Sequence, residues 1–180
     1  MSPSSSATIF HLEMCERNTF RPSPVRPDFD AVIVDPPDPD LNRRFYCSVG
    51  YQWAWTDRLS WSQDDWQRYA ERDVLKTFVG QLNGCDVGYF ELEIQKSGNV
   101  EIVLFGLLPQ YIGKGLGGPF LSIAVERAWE FLDTERVWLH TCTHDHKHAL
   151  DNYRARGFEL FRTEREPRQP EQFNEGKDLL

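Results

Sequence analysis

The sequence lacks most of the features that mark secreted, membrane-spanning or metal-built proteins. Nowhere in its 180 residues do about eighteen apolar residues run together, and the opening stretch Met1-Ser-Pro-Ser-Ser-Ser has neither a basic n-region nor an apolar h-region. A soluble, cytoplasmic protein is the expectation. Cys15, Cys47, Cys85 and Cys142 are widely spread with no CxxC pair, which argues against a zinc ribbon, a redox motif or a small disulfide framework. Reduced thiols are expected. No Lys/Arg cluster offsets a formal net charge of -8, so nucleic acid and anionic membranes are not expected partners, and a cationic small substrate is modestly favoured.

What the chain does hold is enough for one core: 40% of its residues are hydrophobic and 13% aromatic, in a length too short for two ordinary enzyme domains. Residues 9–14 and 31–34 are short β-like runs, separated by a segment whose Pro22, Pro24 and Pro27 exclude a helix interior. Helical spacing follows over residues 38–49 and 62–72, with an aromatic-rich loop between them. Residues 75–82 and 87–94 flank Asn83-Gly84, a dipeptide suited to a tight hairpin turn, and a third strand is expected over 100–108. Beyond a Gly-rich turn, a helix apolar over a wide arc carries Leu116, Phe120, Ile123, Ala124 and Phe131 on one face and Leu121, Val125, Ala128 and Leu132 on another; it should pack deeply on a sheet. A strand over 136–142, a helix over 147–156 stopped by Gly157, and a last strand over 158–163 complete the pattern. The fold class expected is α+β (mixed α/β), a largely antiparallel sheet flanked by helices in a single domain. Residues 1–29 read as an irregular segment able to hold a strand, 30–165 as the domain, and 166–180 as a flexible tail.

The Gly-rich turn is the strongest chemical signal. Gly113, Lys114, Gly115, Leu116, Gly117 and Gly118 sit where a strand gives way to a long helix, so successive backbone N–H groups can face outward beside the positive helix end, an arrangement suited to a pyrophosphate. A P-loop is excluded because Lys114 is followed by Gly115 rather than Ser or Thr. Gly113-x-Gly115-x-x-Gly118 matches the dinucleotide fingerprint formally, but it follows a meander and the next strand closes with His140-Thr-Cys rather than an acidic residue. A turn whose glycines only let the helix approach the sheet is the remaining plain reading.

Phe105-Gly-Leu-Leu-Pro-Gln-Tyr-Ile-Gly-Lys-Gly-Leu-Gly-Gly118 resembles the acetyl-CoA-binding segment of GNAT acetyltransferases: a bulged strand, a proline, then an (Arg/Gln)-x-x-Gly-x-Gly turn into a helix. Asn152-Tyr153-Arg-Ala-Arg-Gly157-Phe158 resembles the Tyr-x-x-x-Gly-Phe segment near the end of that fold, and the element order from residue 38 to 163 is similar. The Trp-rich loop and the His140-Thr-Cys-Thr-His segment are similar to a bacterial subgroup of that family. Two positions depart from the family pattern. Ile112 occupies the Arg/Gln position, with Gln110 two residues earlier, and His146 stands where an asparagine often contacts the coenzyme.

The resemblance implies an N-acyltransferase moving acetyl from acetyl-CoA to a primary amine of a small molecule or peptide, by direct transfer in a ternary complex. It places a bulge near Phe105, Gly106 and Leu107 that frees a backbone N–H for the thioester carbonyl, and adds His146 to the coenzyme contacts. By position Glu101 is the general base, with Glu91 and Glu93 on the neighbouring strand as rivals, and Tyr153 is the acid that protonates the departing thiolate. Cys142 lacks a base-and-orienter pair in the sequence and is not expected to carry an acyl group. Trp53, Trp55 and Asp57 are the acceptor-site residues, indole faces and a carboxylate for an ammonium group; Trp61 and Trp66 read as packing. His140, His144, His146 and His148 with Cys142 and Asp145 match no zinc spacing, so solvated loop histidines and no metal are expected. Two other readings stay open: transfer of longer acyl chains to Lys or ornithine of a peptide, and a non-catalytic acyl-CoA sensor. The acceptor and the oligomeric state have no signature in the sequence.

Overall fold

The computed structural model describes residues 7–24, 26–53 and 55–165; the tail expected to be flexible, residues 166–180, lies outside them. Its elements are β1 (Thr8–Met14), β2 (Phe29–Ile33), α1 (Pro39–Gly50), α2 (Gln63–Ala70), β3 (Leu75–Leu82), β4 (Cys85–Ile94), β5 (Asn99–Leu107), α3 (Gly117–Trp129), β6 (Arg136–Cys142), α4 (Ala149–Ala155) and β7 (Glu159–Arg165). Local chemistry accounts for most boundaries. The Asp38 side chain accepts a hydrogen bond from the Leu41 N–H at the head of α1, where Pro39 needs no donor, and Ser62 and Asp65 cap α2 reciprocally. Asn83 and Gly84 have φ of 51° and 78°, as the tight turn between β3 and β4 requires, and Gly157 ends α4 at φ 100°. α4 begins two residues later than its spacing predicts, at Ala149, behind a turn formed by residues 142–148.

The strands form one seven-stranded sheet in the order β2-β3-β4-β5-β6-β1-β7. Every neighbouring pair is antiparallel except β5 and β6, so the expected mixed α+β architecture with a mostly antiparallel sheet is what forms. β1 lies inside the sheet between β6 and β7, its Leu12 and Met14 in the core. That placement rests on pairing across more than a hundred residues, which local patterning does not carry.

One face of the sheet is covered by α3, whose Phe120, Leu121, Ala124, Val125 and Ala128 are fully buried against Val87, Phe90, Leu92, Ile102 and Leu139. Most of the apolar arc read from the sequence is used, but α3 ends at Trp129, which leaves Phe131 half-buried and Leu132 89% exposed beyond it. α1 and α2 lie on the other face, where Phe45 and Val49 pack on Val79, Tyr89 and Leu104. None of the four cysteines forms a disulfide, and no helix among the described residues is long and apolar enough to cross a membrane.

Candidate active site

β5 and β6 pair only from Asn99–Arg136 to Ile102–Leu139. Beyond Ile102, β5 continues with β4 while β6 continues with β1, and the two halves of the sheet part. The parting coincides with a bulge: Glu91 faces Leu104 and Leu92 faces Ile102, leaving Val103 as the extra residue. A bulge bends its strand and raises its twist, which turns the end of β5 away from β6. The bulge expected near Phe105-Gly106-Leu107 thus falls at Val103. Gly106 serves a different need, because a Cβ there would stand 2.3 Å from Cγ1 of Val49 and push α1 off the sheet.

The gap is a cleft of about 1020 Å³, lined by the far end of β5, the Gly-rich turn, the end of β6 with the turn after it, α4 and the loop after α1. Gly113 and Gly115 have φ of 79° and 72°, and a Cβ on either would meet nothing within 4 Å, so conformation rather than crowding demands glycine there. Among the described residues, the N–H groups of Gly113, Lys114, Gly115 and Leu116 donate no hydrogen bond, and α3 begins without a side-chain cap. The residues present therefore fit an anionic diphosphate: unused donors, an open approach and the positive end of a 13-residue helix. Gly118 is held by packing instead, with Arg156 and Ser23 where a Cβ would go.

Tyr153, on α4, has its side chain 8% exposed, its ring edge-on to Phe105 at 6.4 Å, and its phenol faces this cleft. Burial, with the Asp145 carboxylate adding to it, raises the phenol well above its ordinary value and keeps it protonated. Asp145 itself accepts hydrogen bonds from the Thr141 hydroxyl at 2.6 Å and the Cys142 N–H at 2.9 Å, fixing the turn before α4. Asn152 donates to the Gly117 carbonyl at 3.1 Å and so ties α4 to the Gly-rich turn. Burial and the neighbouring His148 and Lys147 lower His146, which favours its neutral form.

Of the site residues proposed from sequence, Phe105, Gly106, Leu107, Gly113, Gly115, Leu116, Gly117, Gly118, His146, Tyr153, Trp53, Trp55 and Asp57 all line the cleft. Lys114 and Glu101 do not. Lys114 is exposed, its ammonium 5.1 Å above the ring of Tyr111. Glu101 is 9% exposed and reaches the cleft only through His140, whose Nδ1 stands 3.5 Å from its Oε1. The two rivals for the base also lie off the cleft. Glu91 is fully buried, its oxygens taken by Asn42 at 2.7 Å and the Tyr69 hydroxyl at 2.5 Å with Arg58 3.6 Å away, and Glu93 pairs with Arg72 at 2.7 Å.

Of the residues expected from sequence to receive the acceptor, Trp55 is half-buried against Tyr46, whereas Trp53 meets the ring of His146, so the two indoles differ in packing. Trp61 and Trp66 pack with each other and with Tyr69, as expected of staples. Arg58 also lines the cleft, with its guanidinium 4.1 Å from the centre of Tyr69. Sequence reading missed Arg58 and His140. The alternation of β6 placed Trp138 and His140 on one face, but only the parallel register with β5 shows that Glu101 shares it. Among the described residues, no group of three or more His, Cys, Asp or Glu is arranged to hold a metal ion.

Comparisons with known proteins agree with this geometry. The model of the acetyltransferase (GNAT) family matches residues 40–158. A GCN5-related N-acetyltransferase from Kribbella flavida superposes with a TM-score of 0.61 at 17% identity, over 89% of this chain and 56% of that one. Another, from Sphaerobacter thermophilus, gives 0.60 at 14% identity, over 88% and 50%. An aminoglycoside acetyltransferase from an uncultured soil metagenomic sample gives 0.55 at 15% identity, over 71% and 86%. The chain thus spans about half the length of the first two. No curated protein matches the sequence. With the family model covering residues 40–158, about two thirds of the chain, this protein belongs to the acetyltransferase (GNAT) family.

Proposed function

We propose that this chain transfers an acetyl group from acetyl-CoA to a primary amine of a small molecule or peptide, by direct attack within a ternary complex. The observation that carries the reading is that unused backbone donors at the head of α3 and the protonated phenol of Tyr153 open onto one cleft. Acetyl-CoA, when bound, supplies an activated thioester; everything else is done by this chain. The N–H groups of residues 113–118 hold the diphosphate, and the end of β5 lies along the pantetheine arm. Trp53, Trp55 and Asp57 form the wall that receives a cationic acceptor, the carboxylate pairing with its ammonium group. Tyr153 gives its proton to the departing sulfur.

The test combines thermal-shift binding of acetyl-CoA with release of free thiol across amino acids, polyamines, aminoglycosides and peptides. Binding together with thiol release by at least one amine class supports the proposal. Binding without release by any amine favours an acyl-CoA sensor, and preference for longer acyl-CoAs replaces acetyl as the group transferred. Tyr153→Phe should retain acetyl-CoA binding and lower kcat roughly a hundredfold.

A further inference from the structure

Glu101 and His140 lie on adjacent parallel strands, and the register sets Glu101 beside Trp138, two residues before His140 on the same face. The carboxylate is fixed from behind. Its Oε2 accepts from Nε2 of Gln95 at 2.8 Å, and Oε1 of Gln95 accepts from the Trp138 indole N–H at 3.0 Å, which sets the orientation of the amide. Its Oε1 stands 3.5 Å from Nδ1 of His140. Glu101 is nearly sealed from solvent, whereas the His140 side chain is 48% exposed and lines the cleft shared by Val103, Gly106 and Tyr153. Among the described residues, His140 is the one imidazole of that cleft with a carboxylate against its inner nitrogen; His144, His146 and His148 have none.

This is a base with an orienting group behind it, a pairing that aims one ring nitrogen at the cleft and stabilises the ring once it is charged. Resting on the acyl-transfer reading above, we propose that His140 accepts the proton of the attacking amine through Nε2, and that Glu101 is a positioning residue behind it rather than the base itself. The ammonium group loses one proton to His140, and its freed electron pair forms the C–N bond at the acyl carbon as the C–S bond breaks. Tyr153 protonates the leaving sulfur and is reprotonated by the second proton from the nitrogen. His140 then releases its proton to solvent, so one proton leaves per turnover.

The groups facing His140 are Glu101 from β5, His11 from β1 with its ring centre 6.0 Å away, and Asp145 from the turn that follows. The Glu101 carboxylate, its Oε1 3.5 Å from Nδ1, raises His140 above its ordinary 6.5, burial opposes this, and Asp145 adds to the rise. Catalysis requires the neutral ring, so kcat/KM should climb as pH rises through that elevated value.

The experiment measures thiol release against pH for the wild type, H140Q and E101Q, with acetyl-CoA and the most responsive amine, alongside nitrogen-15 NMR titration of the His140 ring in each protein that retains it. H140Q should bind acetyl-CoA as the wild type does, lose roughly a hundredfold in kcat and lose the ascending limb. E101Q should lose less and keep the limb, moved to lower pH, and its His140 ring should titrate lower than in the wild type. A limb that survives in H140Q overturns the proposal, as does an inactive E101Q beside an active H140Q, which would make Glu101 the base. If acetyl-CoA leaves the wild-type melting temperature unchanged, the acyl-transfer reading fails; the NMR titration then still decides the pair, and a His140 indifferent to E101Q sinks it.

Discussion

The indole of Trp53 meets the imidazole of His146 edge-on, ring centres 5.2 Å apart and planes at 79°. One residue follows α1 and the other precedes α4, and both line the cleft, so this contact links the wall proposed for the acceptor to the side proposed for the coenzyme. An aromatic pair of this kind contributes roughly 1 kcal/mol.

Replacing Trp53 by Ala should therefore raise the KM for both acetyl-CoA and the acceptor by about fivefold, the kinetic equivalent of that contact. The melting temperature should move little, because Trp53 is only half-buried and belongs to neither core cluster. A KM change confined to one substrate would show that the two walls act separately.

Gly106 and Val49 supply a packing test. A Cβ at residue 106 would sit 2.3 Å from Cγ1 of Val49, which belongs to α1 and is 1% exposed. Gly106→Ala should destabilise by about 2 kcal/mol in denaturant unfolding. Adding Val49→Ala should recover part of that loss, because the two substitutions share one space; strict additivity would count against the contact.

At Gly115 the cost should come from conformation alone, since φ is 72° and a Cβ meets nothing within 4 Å. Gly115→Ala should cost about 1 kcal/mol of stability and, if the turn relaxes toward negative φ, weaken acetyl-CoA binding about tenfold. Gly115→Asn should recover most of the affinity, because asparagine tolerates this conformation. Calorimetric titration of the three proteins distinguishes backbone geometry from a side-chain effect.

Arg58 and Glu91 make a pH-dependent prediction. Burial raises the Glu91 carboxyl above its ordinary value, while Arg58, Tyr69 and Asn42 oppose that rise. Arg58→Met removes the nearby cation and should destabilise the protein by about 3 kcal/mol at neutral pH. The folded-state value rises further in the variant while the unfolded one does not, so the penalty is full above the folded value. It fades as pH falls toward the unfolded value and Glu91 becomes neutral. Denaturant midpoints of both proteins at neutral and acid pH test this; a deficit independent of pH would point to lost packing of Arg58 on Tyr69 instead.

Much of the fold was legible because its signals are local. Asn83-Gly84 needs positive φ, Gly157 stops a helix, and the apolar arc of α3 demands cover on a sheet, and each of these was visible as residue type and spacing. The turn that opens α3 was legible for the same reason, since glycines at the junction of a strand and a helix leave N–H groups bare whatever surrounds them. The position of the bulge was not. Residues 100–108 read as one β run, and the step from Leu104 to Ile102 opposite β4 exists only once the two strands are in register.

Glu101 shows the limit most clearly. Period-two alternation puts it on the face opposite Val100 and Ile102, but the groups met there come from residues 95, 138 and 140. Sequence alone settled the kinds of element, their order, most helix starts and stops to within two residues and the presence of a glycine-rich turn at the head of α3, all of which follow from interactions within a few residues. Tertiary structure decided that β1 enters between β6 and β7, where the paired strands separate, and that Glu101 faces a histidine rather than the cleft. Those outcomes depend on the register of strands distant in sequence, a property of contacts between segments that neither segment carries by itself.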